Sequence, residues 1–527
     1  MIDRGVKTMV SNKKQAKLLM VQGTGSSVGK SMLVAGLCRY FARQGVAVVP
    51  FKAQNMALNS YITPEGHEMG RAQVVQAEAC GLVPHVHMNP VLIKPNSDVG
   101  AQVIIHGVPV GNMSAVKYHQ YKGKAWEAVL SSFSFLRDHY ELIIIEGAGS
   151  PAEINLREND IVNMGLATHI GAPVLLVGDI DKGGVFASLV GTMELLSPVE
   201  RELVKGFVIN KFRGDRRLLE PGLEIISRRC NVPFVGVVPY FRDFYLPEED
   251  GVAVEGYGKG AEEDVTVSRV GKLLVAVIKL PHISNFTDFD PLDQEVDVRL
   301  DYLQPEEDFA DYDLVIIPGS KNTIDDLQQL HQLGFAHRLT EFAAAGGAVA
   351  GICGGYQMLG RYITDPYQVE TVQGQVEGLG LLEVQTELDR EKVTVQSCGE
   401  LVAGGWPGMD QLQVSGYEIH MGRTRLESSA RALLLVAENS TEGSSHYDGA
   451  LNVDGTVWGT YFHGIFDNDD FRRQYLNRLK QKRFGAQVAS LPAGSFAVQK
   501  EKGLDSLADL LADALDMVVI KTIIENC

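Results

Sequence analysis

An α/β protein with two parallel-sheet domains is what the sequence predicts, and three observations carry that expectation. Short apolar runs alternate with amphipathic stretches in both halves of the chain. A glycine-rich loop, Gly23-Thr24-Gly25-Ser26-Ser27-Val28-Gly29-Lys30-Ser31, stands between one such run and a helix-like stretch. Far downstream, Gly351-Ile352-Cys353-Gly354-Gly355 places a cysteine at a second strand-to-helix bend.

In the first half, 18–22, 46–51, 142–145, 174–177, 206–209 and 235–238 read as buried strands. The stretches 31–43 and 124–138 read as helices between them. Buried strands alternating with helices form a mostly parallel sheet covered on both faces. The stretch 247–271 mixes acidic residues with glycines and offers little to pack, so it reads as a linker. Alternation resumes at 273–278, 314–317 and 348–352, followed by shorter strands such as 457–462. Apolar residues at 504, 507, 511, 515 and 518 have helical spacing and predict a terminal helix packed on a domain. The chain therefore divides into an extension (1–17), a phosphate-loop domain (18–246), the linker (247–271), a second domain (272–485) and a C-terminal extension (486–527).

Composition agrees with this layout. At 527 residues the chain exceeds one ordinary core, so two or three domains are expected. The formal net charge of −18 disfavours a nucleic-acid partner, which needs clustered Lys and Arg. It also requires an anionic substrate to be met by a local basic pocket. The six cysteines form no Cys-x-x-Cys pair and suit neither a zinc site nor a disulfide framework. A reducing, cytoplasmic setting is expected. No run approaches the roughly 20 apolar residues of a membrane span, and residues 1–17 lack the apolar core of a secretory signal.

The glycine-rich loop has the form that cradles a nucleoside triphosphate. Backbone N–H groups from Gly23 to Ser31 and the following helix N-terminus can surround phosphate oxygens. Lys30 then neutralises the outer phosphates and Ser31 reaches Mg²⁺. Five residues separate Gly23 from Gly29 instead of the common four, with Thr24 where a glycine usually stands. Glu146 ends the 142–145 run, where ligands of open α/β sheets sit, and is a candidate Mg²⁺ partner. Asp179 is a second candidate, for which a structural role fits equally. Lys52, Gln54 and Asn55 combine a cation with amides and suit substrate recognition, although a solvated loop accounts for them as well.

Cys353 at a glycine-flanked bend has the form of an exposed nucleophile on a strained elbow. A helix N-terminus favours the reactive thiolate; the competing reading is a small buried hydrophobe. A cysteine nucleophile needs a base. His463, after the 457–462 run, is the preferred candidate, and His420 is its rival. An oxyanion hole is also needed, for which the N–H of Gly354 and that of Gly319 are candidates.

These motifs together resemble the cobyric acid synthases, the glutamine-hydrolysing amidases of cobalamin assembly. The similarity runs through Lys52 to Ser60, Gly70-Arg71-Ala72-Gln73, 89–95, 146–156, 179–186, 210–215, 318–323, the cysteine elbow and 415–424. It implies a dethiobiotin-synthetase-like P-loop domain followed by a class I glutamine amidotransferase domain. The irregular loop spacing is similar to the dethiobiotin synthetase pattern. The implied reaction uses ATP, glutamine and Mg²⁺ to amidate four propionate carboxylates of a corrinoid, adenosylcobyrinic a,c-diamide. Class I amidotransferases usually carry a glutamate two residues after the histidine, and here Ile465 stands there; Asp467 and Glu418 are alternative orienters. Lys52, Lys94, Lys182 and Arg213 are candidates to meet substrate carboxylates. Competing readings are a cobyrinic a,c-diamide synthase, a fused cell-wall amidating pair, or a regulatory P-loop ATPase with an idle cysteine domain.

Overall fold

The computed structural model describes residues 15–97, 100–241, 271–371, 374–437, 445–485 and 494–526. Apart from Gly271, the 247–271 linker lies outside the described residues, as does most of the 1–17 extension.

The first half builds a six-stranded parallel sheet. Its order is Phe234–Pro239, Val204–Phe212, Val174–Asp179, Lys17–Gly23, Leu142–Glu146 and Val48–Phe51. Every residue of Val48–Phe51, Leu142–Glu146 and Val174–Asp179 is buried, as expected for strands covered on both faces. Because the strands are parallel, their C-terminal ends share one edge. The Gly23 loop, Lys52, Glu146, Asp179 and Asn210 all emerge there.

Two elements of this half were not expected. A small sheet joins Gln54–Met56, Val91–Ser97, Gly100–Ile105 and Val108–Ser114. Its outer strand is mostly exposed, which dilutes the apolar signal. The helix expected from 124 begins earlier, spanning Ala115–His139, where Ser114 accepts a hydrogen bond from the Lys117 N–H and caps it.

The second half builds a larger mixed sheet. Parallel strands Val298–Leu303, Leu273–Ile278, Leu314–Ile317, Ala348–Ile352 and Val457–Thr460 form its core. Antiparallel strands continue it through Ser445–Leu451, Arg431–Ala437 and Val384–Leu401, and the last of these also pairs with Gln413–Leu426. The long strand Val384–Leu401 alternates buried and exposed residues at both ends, and no apolar run announced it.

The C-terminal tail corrects the expectation of one helix. Two helices, Phe496–Ala514 and Met517–Glu525, are broken at Leu515, which forms an isolated bridge with Gly236. They return to the first domain, where Leu504, Leu507, Leu511, Leu515, Ile520 and Ile524 share a core with Leu33, Leu37 and Phe41. Arg39 pairs with Glu501 and Asp505, each at 2.8 Å.

The two halves meet along residues 59–68. Tyr61 packs edge-on against Tyr417, with ring centroids 5.1 Å apart. Glu68, fully buried, holds Lys94 at 2.9 Å and Lys392 of the second half at 2.5 Å. Among the described residues, no helix is long and apolar enough to cross a membrane.

Candidate active sites

The phosphate loop opens the helix Lys30–Arg43 with Ser27 and Gly29 both at positive φ, 55° and 94°. A side chain at Gly29 would also collide with Asn210, whose Nδ2 donates to the Val28 carbonyl at 2.8 Å. Glycine at 29 therefore meets a conformational and a steric demand at once.

The loop borders a cavity of about 860 Å³ that Lys52, Gln54, Asn55, Glu146, Asn210 and Lys211 also line. Lys30 lies at its floor, donating to the carbonyls of Gly25 (2.9 Å) and Gly149 (3.2 Å). Ser31 Oγ donates to Glu146 Oε1 at 2.8 Å. A hydroxyl beside a carboxylate supplies two hard oxygen donors, the chemistry Mg²⁺ requires, with phosphate and water completing its octahedron. Among the described residues, no cluster of three His, Cys, Asp or Glu forms a separate metal cage.

Glu146 is held by more than Ser31. Lys52 Nζ pairs with its Oε1 at 2.8 Å, and Gln76 Nε2 donates to its Oε2 at 2.5 Å. Lys52 is thus a buried partner of Glu146, which overturns the solvated-loop reading. Asn55 is buried too, donating to Gln73 Oε1 at 2.9 Å, while Gln54 accepts from the Tyr118 hydroxyl. Asp179 pairs with Lys211 at 2.9 Å, the structural alternative for that residue. Lys94 is committed to Glu68, and Arg213 stacks over Tyr240 at 3.7 Å; Lys182 is exposed. Sequence reasoning assigned no role to Gln73 and Gln76, which sit three apart on the helix Arg71–Ala79 and reach the same carboxylate.

The second site stands on the strand Ala348–Ile352. Cys353 has φ 50° and ψ −108°, a conformation that is strained for a non-glycine residue. Small neighbours make it possible, since a Cβ on Gly355 would collide with the Ile317 carbonyl. Strand Val457–Thr460 pairs in parallel with Ala348–Ile352, which brings His463 beside Cys353, whose thiol donates to the Ile419 carbonyl at 3.6 Å.

The carboxylate that faces His463 is that of Asp288. Its Oδ2 lies 2.6 Å from His463 Nδ1, and its Oδ1 accepts the Gly464 N–H at 3.0 Å. Neither expected orienter takes that place. Glu418 faces His420 Nε2 at 3.3 Å and Ser397 Oγ at 2.6 Å. Burial raises the Asp467 carboxyl to about 6 against the pull of Arg71. The other ring nitrogen of His420, Nδ1, contacts the Gly422 carbonyl at 2.7 Å, so both its nitrogens are engaged away from Cys353.

Asp288 lies 175 residues before the histidine, in the 3-10 helix Phe286–Phe289. The antiparallel pairing of Ile283–Ser284 with Gly319–Ser320 delivers it. Burial alone would lower the His463 pKa, but the Asp288 carboxylate, with Cys353 adding to it, pushes it up to about 10. The Gly319 backbone faces the same ring: an added Cβ would stand 3.4 Å from His463 Cε1. A Cβ on Gly354 would stand 2.9 Å from the Ser320 nitrogen, so the two glycine backbones adjoin the Cys353–His463 pair.

Comparison with known proteins agrees with both sites. Residues 19–253 match the CobQ/CobB/MinD/ParA nucleotide binding domain, and residues 274–471 match the CobB/CobQ-like glutamine amidotransferase domain. A cobyric acid synthase of Pelotomaculum thermopropionicum is 50% identical over 499 residues, 94% of each chain. Cobyric acid synthases of Clostridium botulinum (48% identical) and Thermoanaerobacter sp. (46% identical) each align with 96% of this chain and 99% of their own length. The chain belongs to the cobyric acid synthase family, the glutamine-hydrolysing, ATP-dependent ligases of cobalamin biosynthesis.

Proposed function

We propose that this protein amidates the b, d, e and g carboxylates of adenosylcobyrinic a,c-diamide, consuming one ATP and one glutamine for each. The observation that carries this reading is a Cys353–His463–Asp288 triad and a phosphate-loop cavity in one chain.

Glutamine hydrolysis follows from the triad. Cys353 Sγ attacks the side-chain amide carbon of glutamine, and the N–H groups of Gly354 and Gly319 stabilise the oxyanion. The imidazolium of His463, held by Asp288, gives its proton to the leaving nitrogen, and ammonia departs. Water attacks the thioester carbon with His463 as base, releasing glutamate and restoring the thiolate.

Carboxylate activation belongs to the other site. A substrate carboxylate oxygen attacks the γ-phosphorus of ATP and ADP leaves. Ammonia then attacks the acyl phosphate, expels phosphate and, after proton loss, becomes the amide nitrogen. Lys30 stabilises the charge developing on the transferred group. Ser31 Oγ and Glu146 Oε1 would hold Mg²⁺, which neutralises phosphate charge when bound. Lys52, Gln54 and Asn55 line the cavity where the substrate carboxylate must arrive.

Mass spectrometry of the corrinoid product, with ATP and glutamine supplied, tests the reading. Four added amides on the a,c-diamide are expected. Two amides added to cobyrinic acid, with the a,c-diamide unchanged, would instead identify a cobyrinic a,c-diamide synthase. Cys353→Ala should lose the glutamine-dependent reaction and keep the ammonia-dependent one.

A further inference from the structure

Residues 59 and 60 of the phosphate-loop domain are gripped by the groups that surround His463. Asn285 Oδ1 accepts the Ser60 N–H at 3.0 Å, and the Tyr417 hydroxyl donates to the Ser60 carbonyl at 3.1 Å. In return, Asn59 Oδ1 accepts the Phe286 N–H at 3.1 Å, two residues before Asp288. Asn59 and Asn285 each have 2% of their surface exposed, so these bonds form away from water.

The same partners touch the catalytic imidazole. Tyr417 stacks on His463 at 5.2 Å with the rings 19° apart, and the backbones of the two residues bond reciprocally. Asn285 Nδ2 lies 3.3 Å from His463 Nδ1. Since Nδ1 donates to Asp288, it cannot also accept there; Asn285 acts by packing against the ring edge. Asn285 adopts φ 53°, a left-handed conformation that asparagine tolerates better than most residues.

A continuous set of contacts leads from residue 59 to the phosphate loop. The Arg71 N–H donates to the Asn59 carbonyl at 3.2 Å, at the start of the helix that carries Gln73. Gln73 bonds Asn55 at 2.9 Å and reaches Glu146 at 3.5 Å, and Glu146 holds Ser31. The Asn55–Gln73 and Gln73–Glu146 links are buried and the Ser31–Glu146 link is part-buried, so polar contacts run without a break from the phosphate loop to the Phe286–Asp288 turn.

We propose that Asn59 and Asn285 form a reciprocal clamp across the domain junction that positions Asp288 and His463, making glutamine hydrolysis depend on residues 52–60 beside the phosphate loop. Both are positioning residues, since they act through Asp288 and His463. The inference rests on the catalytic reading of Cys353 and His463 given above.

Asn59→Ala tests it, because Asn59 touches neither glutamine nor the triad. Glutaminase kcat should fall by on the order of tenfold, the effect of one lost buried hydrogen bond, with KM for glutamine unchanged. Ammonia-dependent amidation should stay at the wild-type rate, which also shows that the variant folds. The double variant Asn59→Ala/Asn285→Ala should be no slower than the slower single variant, as expected for two halves of one device.

Wild-type glutamine hydrolysis by Asn59→Ala would overturn the proposal. So would a parallel fall of the ammonia-dependent rate, or multiplying losses in the double variant. Cys353→Ala is assayed alongside: persistent glutamine hydrolysis there would defeat the catalytic reading itself, independently of the clamp.

Discussion

Replacing Asp288 by Asn removes one charge and leaves the shape of the proposed glutaminase site nearly unaltered. Asp288 Oδ2 and His463 Nδ1 are 2.6 Å apart, and both residues are buried. A buried, charge-assisted hydrogen bond of this kind contributes about 2–3 kcal/mol. The variant suffers a further penalty. Its amide oxygen keeps the Gly464 N–H, so its NH2 group opposes Nδ1 and favours the tautomer with the proton on the nitrogen facing Cys353. Together these effects predict a fall in glutaminase kcat of about 10² to 10⁴. The pH dependence moves as well. Asp288 raises the His463 pKa to about 10, so the imidazolium persists through neutral pH in the wild type. Without that carboxylate, burial is opposed only by Cys353, so the pKa falls and the alkaline limb of the rate profile shifts to lower pH. Ammonia release from glutamine between pH 6 and 10, compared with ammonia-dependent amidation, reads both effects. A kcat within roughly threefold of wild type, or an equal loss with ammonia as nitrogen source, would refute the reasoning.

Two further predictions concern the frame that holds the sites. Glu68→Gln leaves Lys94 and Lys392 buried with no counter-charge at the junction and should cost about 3–5 kcal/mol, read by denaturant unfolding. The two lysines hold the Glu68 carboxyl below its ordinary value of 4.5, against burial that raises it. Its contribution is therefore complete above that pH and lost as pH falls, and the variant should lack this part of the acid instability; identical acid unfolding of both proteins would contradict it. Leu511→Ala empties part of the core between the C-terminal helix and Lys30–Arg43 and should cost about 2–5 kcal/mol. It should also raise KM for ATP, because Leu511 lines the nucleotide cavity. Val518→Ala, on the exposed face, serves as the control and should change stability by less than about 0.5 kcal/mol.

The sequence alone determined the features that depend on contiguous residues. Strands buried on both faces appear as apolar runs, so 142–145 and 174–177 are legible to within one and two residues of Leu142–Glu146 and Val174–Asp179. The phosphate loop and the cysteine elbow were legible because their backbone geometry requires glycines at fixed positions, such as Gly29 and Gly355. His463 was legible through its place after a core strand. Half-exposed strands such as Val108–Ser114 and Val384–Leu401 escaped, since alternation over a solvent-facing surface resembles loop composition.

Only the tertiary structure decided which side chains converge. Asp288 belongs to no local motif; its role arises because a two-residue strand pairs beside Gly319 and carries the following turn to His463. The same holds for the C-terminal helices, whose apolar face shows helical spacing but not the domain it covers. It holds again for Asn59 and Asn285, which meet across 227 and 225 residues of chain in the bonds they make. Local backbone geometry is written in neighbouring residues, whereas hydrogen bonds between distant segments depend on sheet order and domain docking. Cys353 and His463 of the proposed triad are therefore legible in the sequence as candidates, and the sheet pairing brings Asp288 to them.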